Sequence, residues 1–430
     1  MSIHLDQDVA APPPAAAFAA PPAGGLSAPH RALIVFGAAL GLCAGFAPLY
    51  FGTISVFLQP IAHEFGWGRA QTSAAGVLSM LGLAAGSIVV GQLIDRFGET
   101  RVIGGSASVM AVFMAIQSLC GNSPWLFAAL SFGIGVAGAG TTPPGYLTVL
   151  ARCLRDRLGV ALGLAGIGMG VGTISMPVIA QTLIAHYGWR SAYAGLAAGA
   201  LLLGWLACAI ISRGARGLRG HARQRRLPAG SMPVPGYTVR EALADRRLWL
   251  ILAVTLLVSM ATLGMSVHFV SLLVDGGITP QLAARAVAVS GAGVVLGRVV
   301  SGYLIDRFAA RKVAAAAFCL AAAGAVLMAS ELSRAIQFSA FAGLLLGFAL
   351  GAEGDFLPFF VKKYFGLKSF GRIYGVLFFV HGLGGIAGPV LFGLSFDHFA
   401  TYKYALLCAS GALCAAMLLV LRLGSYRFSS

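Results

Sequence analysis

The stretch GRVVSGYLIDRFAARK, Gly297–Lys312, decides how the rest of this chain is interpreted. It closes an apolar run that contains a single arginine, Arg298, and it becomes polar at its end. A near copy, GSIVVGQLIDRF, occurs at Gly86–Phe97, where 8 of 12 residues are identical to those of Gly297–Phe308. Ser87 stands in the copy where the later stretch has Arg298. The sequence therefore predicts a duplicated chain in which only one half keeps this charge.

A second internal match supports the duplication. GLAGIGMGVGTISMP at Gly163–Pro177 aligns with GVLFFVHGLGGIAGP at Gly375–Pro389, at an offset of 212 residues, against 211 for the first pair. Two matches at nearly the same offset indicate that a whole unit was copied. We expect both halves to share one fold.

The composition is that of a membrane protein. Of the 430 residues, 58% are apolar and 10% are charged, whereas soluble domains carry about 25% charged residues. A mean hydropathy of +0.86 and 58 glycines are typical of closely packed membrane helices. The net charge of +16 does not indicate nucleic-acid binding, because the basic residues form short clusters between apolar runs. The seven cysteines are scattered without a CxxC pair, so no disulfide framework, metal site or cofactor is predicted.

Twelve apolar runs are each near the length of about 20 residues that a bilayer core requires. The predicted spans 1–6 are roughly Ala32–Leu58, Thr72–Ile94, Val102–Cys120, Trp125–Leu150, Leu158–His186 and Ser191–Ile211. The predicted spans 7–12 are roughly Trp249–Val274, Leu282–Ile305, Val313–Ser330, Ala335–Phe360, Ile373–Phe396 and Tyr402–Leu421.

These spans divide the chain into two bundles and three polar segments. Residues 1–30 are predicted to be a disordered cytoplasmic tail, and residues 423–430 a second cytoplasmic tail. Residues 31–211 and 248–422 form the two six-helix bundles, and residues 212–247 a basic cytoplasmic linker. We interpret the arginines of this linker as a topology marker, in preference to a DNA-binding or anionic-lipid site.

The orientation follows from the distribution of lysine and arginine. With the N-terminus inside, cytoplasmic segments hold 24 of the 30 basic residues and outer segments hold five, while Arg298 is the remaining one. Both termini are therefore predicted to be cytoplasmic, in a multi-pass protein of the cell inner membrane. Because each half has an even number of spans, the repeats are parallel and enclose a central path.

Few ionisable groups lie inside the spans, and each costs about 2.5–3.5 kcal/mol to insert. They are Arg298 in span 8, Glu353 and Asp355 in span 10, His381 in span 11, and His268 near the outer end of span 7. At about 1.5 Å per residue, Arg298, Glu353 and His381 lie roughly 12, 13 and 15 Å above the cytoplasmic boundary. An arginine, a carboxylate and an imidazole thus converge near the midplane.

This convergence suggests an anion-binding site. The Arg298 guanidinium offers a bidentate fork to a carboxylate, and His381 can change its charge near neutral pH, which suits proton coupling. Glu353 or Asp355 is expected to be the counter-ion of Arg298 when substrate is absent, and the sequence does not rank the two. The structural alternatives are a permanent Arg298–Asp355 pair, a helix-to-helix hydrogen bond at His381, and an inner gate network built on both carboxylates.

Two further residues are candidates for the substrate site. Thr142 lies at similar depth in a Thr-Thr-Pro-Pro run, where the prolines leave backbone groups that a hydroxyl or a ligand can satisfy. The alternative there is a simple kink. Phe378 is expected to wall the cavity, although core or lipid-facing aromatics are the commoner case.

A separate group of residues is predicted to control the inner gate. The Asp95–Arg96 and Asp306–Arg307 pairs, with Arg101, sit where spans 2 and 8 meet the cytoplasm. A carboxylate there is expected to cap the amino end of the next helix and to pair with basic loop residues, which holds the inward gate closed.

GQLIDRFGETR at Gly91–Arg101 and GYLIDRFAARK at Gly302–Lys312 resemble the signature loop of the major facilitator superfamily. The resemblance implies an all-α polytopic protein with twelve transmembrane helices in two six-helix parallel repeats. Within that superfamily, Arg298 resembles the substrate-binding arginine of bacterial monocarboxylate porters and oxalate/formate exchangers. His381 stands where the exchangers carry a lysine, and Val294 where the monocarboxylate porters carry an aspartate, so neither scheme transfers intact.

The predicted function is secondary transport of a small organic anion, a monocarboxylate in our interpretation, by alternating access with proton symport. The alternative is exchange or efflux of another small metabolite or drug. The expected partners are the anion, protons and the lipid bilayer, and not nucleic acid. An enzyme is not expected, because the sequence has no HExxH or G-x-S-x-G motif and no phosphate loop outside a span.

Overall fold

The computed structural model of the chain describes residues 27–67, 69–154, 157–224 and 235–428. The predicted N-terminal tail lies outside the described residues up to residue 26, and the predicted linker does so over 225–234. The described residues are almost entirely helical, which confirms the all-α fold class.

The helices are named in chain order. The first half contains α1 (Ala28–Cys43), α2 (Ile54–Phe65), α3 (Arg69–Phe97), α4 (Glu99–Ser118), α5 (Pro124–Gly138), α6 (Pro143–Cys153) and α7 (Leu158–Gln224). The linker and second half contain α8 (Val239–Ala244), α9 (Arg246–Asp275), α10 (Pro280–Arg307), α11 (Ala310–Ala329), α12 (Ile336–Phe360), α13 (Phe370–Phe399) and α14 (Lys403–Leu421). Spans 1 and 4 are each interrupted, so that α1 with α2 and α5 with α6 form one span each.

Eleven helical segments of the described residues are long and apolar enough to cross a membrane. One of them, Leu158–Ala215, has 58 residues, and its backbone leaves the helical region at Gly188 with φ 77° and ψ 164°. Glycine adopts this conformation without the steric cost of a side chain, so the helix axis breaks there. Helix α7 therefore supplies two spans, and the total equals the twelve that the sequence predicts.

Helix α7 also differs from the prediction at its far end. It continues to Gln224, well past the predicted end of span 6 at Ile211. The apolar run ends at Ile211, but six of the next 13 residues are alanine or arginine, which are good helix formers, against three glycines. Leaving the apolar layer therefore does not end the helix, and the first part of the linker is helical.

The two halves pack as copies of each other. Helix α3 packs on α5 and α1 on α7, while their counterparts α10 and α9 pack on α12 and α13. Between the halves, α3 packs on α13 and α10 packs on α7. Since α3 matches α10, and the start of α7 matches α13, these two contacts are equivalent under the duplication.

One end of the bundle, which we call the linker end, gathers the linker, the α12–α13 loop and the chain's last described residues. The Tyr237 amide donates to the Phe365 carbonyl (2.8 Å) and the Arg427 amide to the Lys363 carbonyl (3.2 Å). The aspartates of the two repeated loops, Asp95 and Asp306, lie at this end as well.

The halves touch backbone to backbone at the linker end. A β-carbon on Gly371 would lie 2.6 Å from the Gly91 carbonyl oxygen, and one on Gly91 would clash with the Gly371 carbonyl. Gly302 and Gly159 form the equivalent contact, with the same mutual clash. Only residues without a side chain permit this approach, as at helix crossings in membranes generally.

Two carboxylates reinforce the same contacts. Asp95 accepts hydrogen bonds from the amides of Gly371 (3.0 Å) and Arg372 (2.9 Å), at the start of α13. Asp306 accepts them from the amides of Gly159 (2.8 Å) and Val160 (3.0 Å), at the start of α7. A carboxylate at a helix N-terminus satisfies free amides and the helix dipole together.

These bonds correct one detail of the gate prediction. Each aspartate caps a helix of the opposite half and not the next helix in the chain. The local rule fails because the glycine contacts bring the other half's helix start within reach. Asp95 also pairs with Arg152 (2.6 Å), as expected for a basic partner. Arg96, Arg101 and Arg307 have exposed side chains, and Arg96 and Arg307 lie over Phe97 and Tyr303, respectively.

Two more hydrogen bonds join the halves. The Lys362 ammonium donates to the Leu154 carbonyl (2.6 Å) at the C-terminal end of α6, where the helix dipole favours a cation. Farther into the span, the Ser87 hydroxyl donates to the Gly375 carbonyl (3.0 Å). The described structure is therefore closed at the linker end.

We expect Gly91→Ala to loosen this closure, because its methyl group would overlap the Gly371 carbonyl. Spin labels at Arg101 and Lys312, which are both exposed at the linker end, would report the separation of the halves. The distance distribution should gain a longer component in Gly91→Ala. Gly105→Ala is the matched control, since a β-carbon there meets nothing within 4 Å. Identical distributions for both variants would contradict the proposed tight contact.

Candidate functional site

Arg298 lies on α10 at the interface between the two halves. Arg298 is only 5% exposed, so its guanidinium is almost fully removed from solvent and lipid. On one side it contacts α7, where a β-carbon on Gly166 would clash with the Arg298 Nη1 atom. On another side a β-carbon on Gly354 of α12 would lie 3.0 Å from the same atom. Glycines from both halves thus make the space that the guanidinium occupies.

Asp355 is the acidic partner of Arg298. The Arg298 Nη1 atom lies 3.5 Å from Asp355 Oδ1, and the Ser301 hydroxyl donates to Asp355 Oδ2 at 3.3 Å. Asp355 is fully buried. This distance is long for a charge-assisted hydrogen bond, for which 2.7–2.9 Å is typical. The pair is electrostatic but loosely joined.

The guanidinium has an N–H donor that no acceptor among the described residues satisfies. Within the described part of the chain, Arg298 Nε is buried without a hydrogen-bond partner, and so is Asp355 Oδ1. An arginine carries five N–H donors in a planar fork, and an unsatisfied buried donor costs free energy. The arrangement can therefore accept a further anionic or polar group.

A second acid–base pair lies on the same helix. Glu353 Oε1 is 3.1 Å from His381 Nδ1 of α13, and the Thr262 hydroxyl of α9 donates to Glu353 Oε2 at 3.4 Å. Glu353 is buried, whereas the His381 side chain is 23% exposed. His381 is therefore the more exposed member of this pair.

The structure separates the two carboxylates that the sequence does not rank. Glu353 and Asp355 are two residues apart on α12, which places them about 200° apart around the helix axis. They consequently face different neighbours: Asp355 faces Arg298, and Glu353 faces His381.

One face of α13 carries three ring side chains. Tyr374, Phe378 and His381 are spaced by four and three residues, so their side chains lie along one side of the helix. The Phe378 ring packs at 6.3 Å from Tyr374 and stacks at 5.4 Å on the His381 imidazole. Phe378 therefore contacts the predicted site directly, as a support for the imidazole.

Thr142 and His268 are used within their own halves. The Thr142 hydroxyl donates to the Ala139 carbonyl (2.5 Å) at the break between α5 and α6. Among the described residues it makes no hydrogen bond to either acid–base pair. The His268 ring contacts the Pro389 carbonyl (3.0 Å) and the Tyr402 hydroxyl (3.3 Å).

Several residues of the site are uncharged, and the sequence analysis did not identify them. Gly166 and Gly354 form the space for the guanidinium, and Ser301 and Thr262 hold the carboxylates. Ser301 lies one helical turn after Arg298, and Gly166 lies in the repeated segment Gly163–Pro177. The position of these two residues in the sequence could therefore have identified them as part of the site. Thr262 and Gly354 carry no such signal.

Comparison with known proteins agrees with this architecture. Residues 40–389 match the Major Facilitator Superfamily. The gallate transporter of Pseudomonas putida is 27% identical over 389 residues, which cover 79% of this chain and 83% of the relative. Monocarboxylate transporter 4 of Rattus norvegicus is 25% identical over 402 residues, which cover 90% of this chain and 81% of the relative.

The solved structures extend the agreement to the fold. The proton:xylose symporter XylE, bound to 6-bromo-6-deoxy-D-glucose, superposes with a TM-score of 0.70 over 94% of this chain and 97% of its own. At 13% identity this likeness concerns the fold alone. Because the family match spans most of its length, the chain belongs to the Major Facilitator Superfamily, as a multi-pass membrane transporter and not an enzyme.

Proposed function

We propose that this transporter moves a small organic anion, of the monocarboxylate class, by alternating access with proton symport. The observation that carries the proposal is the Arg298 guanidinium, which is buried between the halves with its Nε unpartnered and its nearest carboxylate 3.5 Å away. A substrate carboxylate that enters this interface would find a preorganised fork of donors.

The counter-ion arrangement supports exchange of partners at Arg298. The substrate carboxylate takes the place that Asp355 holds while the site is empty. Because a charge buried without compensation is costly, each state of the cycle keeps Arg298 near one negative group. The long Arg298–Asp355 distance favours this exchange, since a weakly held partner is displaced at lower cost.

Proton coupling is assigned to the two carboxylates and His381. A bound monoanion adds one negative charge to a nearly dehydrated site, and a proton taken up on Asp355 or on the Glu353–His381 pair removes it. The partly exposed His381 ring provides the route for that proton. Two family members support this class of cargo by their names, a gallate transporter and a monocarboxylate transporter.

The orientation of the cycle rests on charge distribution. With the arginine-rich linker end in the cytoplasm, the described conformation is closed to the inside. The release of substrate to the cytoplasm then requires the Asp95 and Asp306 contacts to break, and return to the outward state reforms them. The proposed location is the cell inner membrane, with both termini cytoplasmic.

Arg298→Ala should weaken anion binding and slow transport, because it removes the fork of donors. In reconstituted vesicles we expect the initial rate of uptake of gallate or lactate to fall by roughly 10–100-fold, the range for a lost charged hydrogen bond. Arg334→Ala is the control, since Arg334 forms an exposed pair with Glu331. Uptake by Arg298→Ala at the rate of the control would refute the role of Arg298.

Gly166→Ala tests the position of the guanidinium without altering any charge. The added methyl group would overlap Arg298 Nη1, so we expect a higher KM for the same anion with an unchanged unfolding temperature in the absence of ligand. Gly170→Ala, one turn farther along α7, meets nothing within 4 Å and should behave as the parent protein. If both variants keep the parent KM, the substrate does not use the guanidinium in its observed position.

Glu353→Gln should uncouple transport from protons, because an amide cannot take up a proton as a carboxylate does. Accumulation driven by an alkaline vesicle interior should be lost, while exchange of labelled for unlabelled anion should persist. Ser410→Ala, remote from both pairs, serves as the control for reconstitution. If the parent protein itself shows no dependence on the imposed pH gradient, the exchange mechanism replaces symport.

A further inference from the structure

A basic groove lies at the linker end, away from the substrate site. It is formed where α9 begins and α14 ends, and its open volume is about 520 Å³. Its charged lining residues are four arginines and one aspartate, namely Arg246, Arg247, Arg422, Arg427 and Asp245. Leu250 also lines the groove. The formal charge of the lining is therefore strongly positive.

The single aspartate does not neutralise the groove. Asp245 Oδ1 accepts a hydrogen bond from the Arg247 amide (2.9 Å), and Oδ2 lies 3.7 Å from Arg427 Nη1. Among the described residues, two buried atoms of the groove have no hydrogen-bond partner, the donor Arg247 Nη1 and the acceptor Asp245 Oδ2. The two atoms do not satisfy each other, and with four arginines against one aspartate the lining still favours an added anionic acceptor.

Two of the four arginines lie over aromatic rings. The Arg247 guanidinium lies 5.6 Å from the centre of the Tyr364 ring, and that of Arg427 lies 5.3 Å from the Tyr237 ring. The Tyr364 hydroxyl donates to the Gly424 carbonyl (3.1 Å), which fixes the C-terminal segment over the groove. Arg247 and Arg427 are thus positioned at the groove by contacts within the protein.

The surroundings of the groove match the headgroup level of a bilayer. Trp249, next to the groove on α9, is 58% exposed, and its indole N–H donates to the Leu243 carbonyl (2.9 Å). Tryptophan is enriched at membrane interfaces. Leu418 and Leu421 on α14 are 58% and 44% exposed, so apolar surface continues from the groove into the lipid layer.

We propose that this groove binds the phosphate of an anionic phospholipid from the leaflet at the linker end. Arginine forks suit phosphate oxygens, and the adjacent exposed leucines suit acyl chains. A free phosphate would use the arginines alone, whereas a lipid uses both surfaces. The bound lipid joins the start of α9 to the end of α14, independently of the transported substrate.

The test uses the purified full-length protein in neutral detergent, with phosphatidylglycerol added in increasing amounts. Phosphatidylglycerol should raise the unfolding temperature in a saturable way, and phosphatidylcholine should not. Arg422→Gln and Arg427→Gln, which change exposed side chains, should each weaken the apparent affinity by about fivefold, at roughly 1 kcal/mol per arginine. Anion uptake by both variants in neutral lipid should equal that of the parent.

Arg101→Gln and Lys312→Gln are the matched controls, because both residues are exposed at the linker end but do not line the groove. They should keep the parent affinity for phosphatidylglycerol. Equal weakening in the groove and control variants would indicate diffuse surface charge and overturn the site. An equal stabilisation by inorganic phosphate without lipid would overturn the assignment of a phospholipid.

Discussion

A guanidinium buried away from water is stabilised by a negative charge beside it. The protein provides Arg298 with such a charge only at a distance. Asp355 lies near it without a short hydrogen bond, and one nitrogen has no acceptor among the described residues. Several neighbouring residues fit this incomplete pairing. Glycines of both halves give the side chain room, and Ser301 holds the carboxylate that faces it. In our proposal, the incomplete pairing is what leaves room for a cargo.

The linker end is closed by contacts of a different kind, and the same contacts occur twice because the chain is duplicated. Paired glycines bring the backbones together, and an aspartate from each half binds the free amides at a helix start of the other. These bonds are strong enough to define a closed state, but they lie near water at the end of the bundle. They can therefore be exchanged for solvent when the halves move apart.

The sequence predicts the helix count, the duplication and the depth of the ionisable groups, because these depend on length, pattern and rise per residue. It does not predict the direction in which each side chain points around its helix. Hence Arg298, Glu353 and His381 could be placed at one level, but the partners of Glu353 and Asp355 could not be assigned. The glycines that shape the site were missed for a related reason. A residue without a side chain reveals its role only through the atoms that approach it.

The Ser87 hydrogen bond to Gly375 has a consequence for how such a protein can diversify. Ser87 occupies in the first copy the position that Arg298 occupies in the second, and it uses that position to hold the halves together. In the proposed mechanism, contact between the halves and recognition of charge thus fall to different copies of one ancestral segment. Substitutions that alter selectivity can then accumulate in the second copy while the first preserves the moving interface, so a new cargo need not compromise the machinery of conformational change.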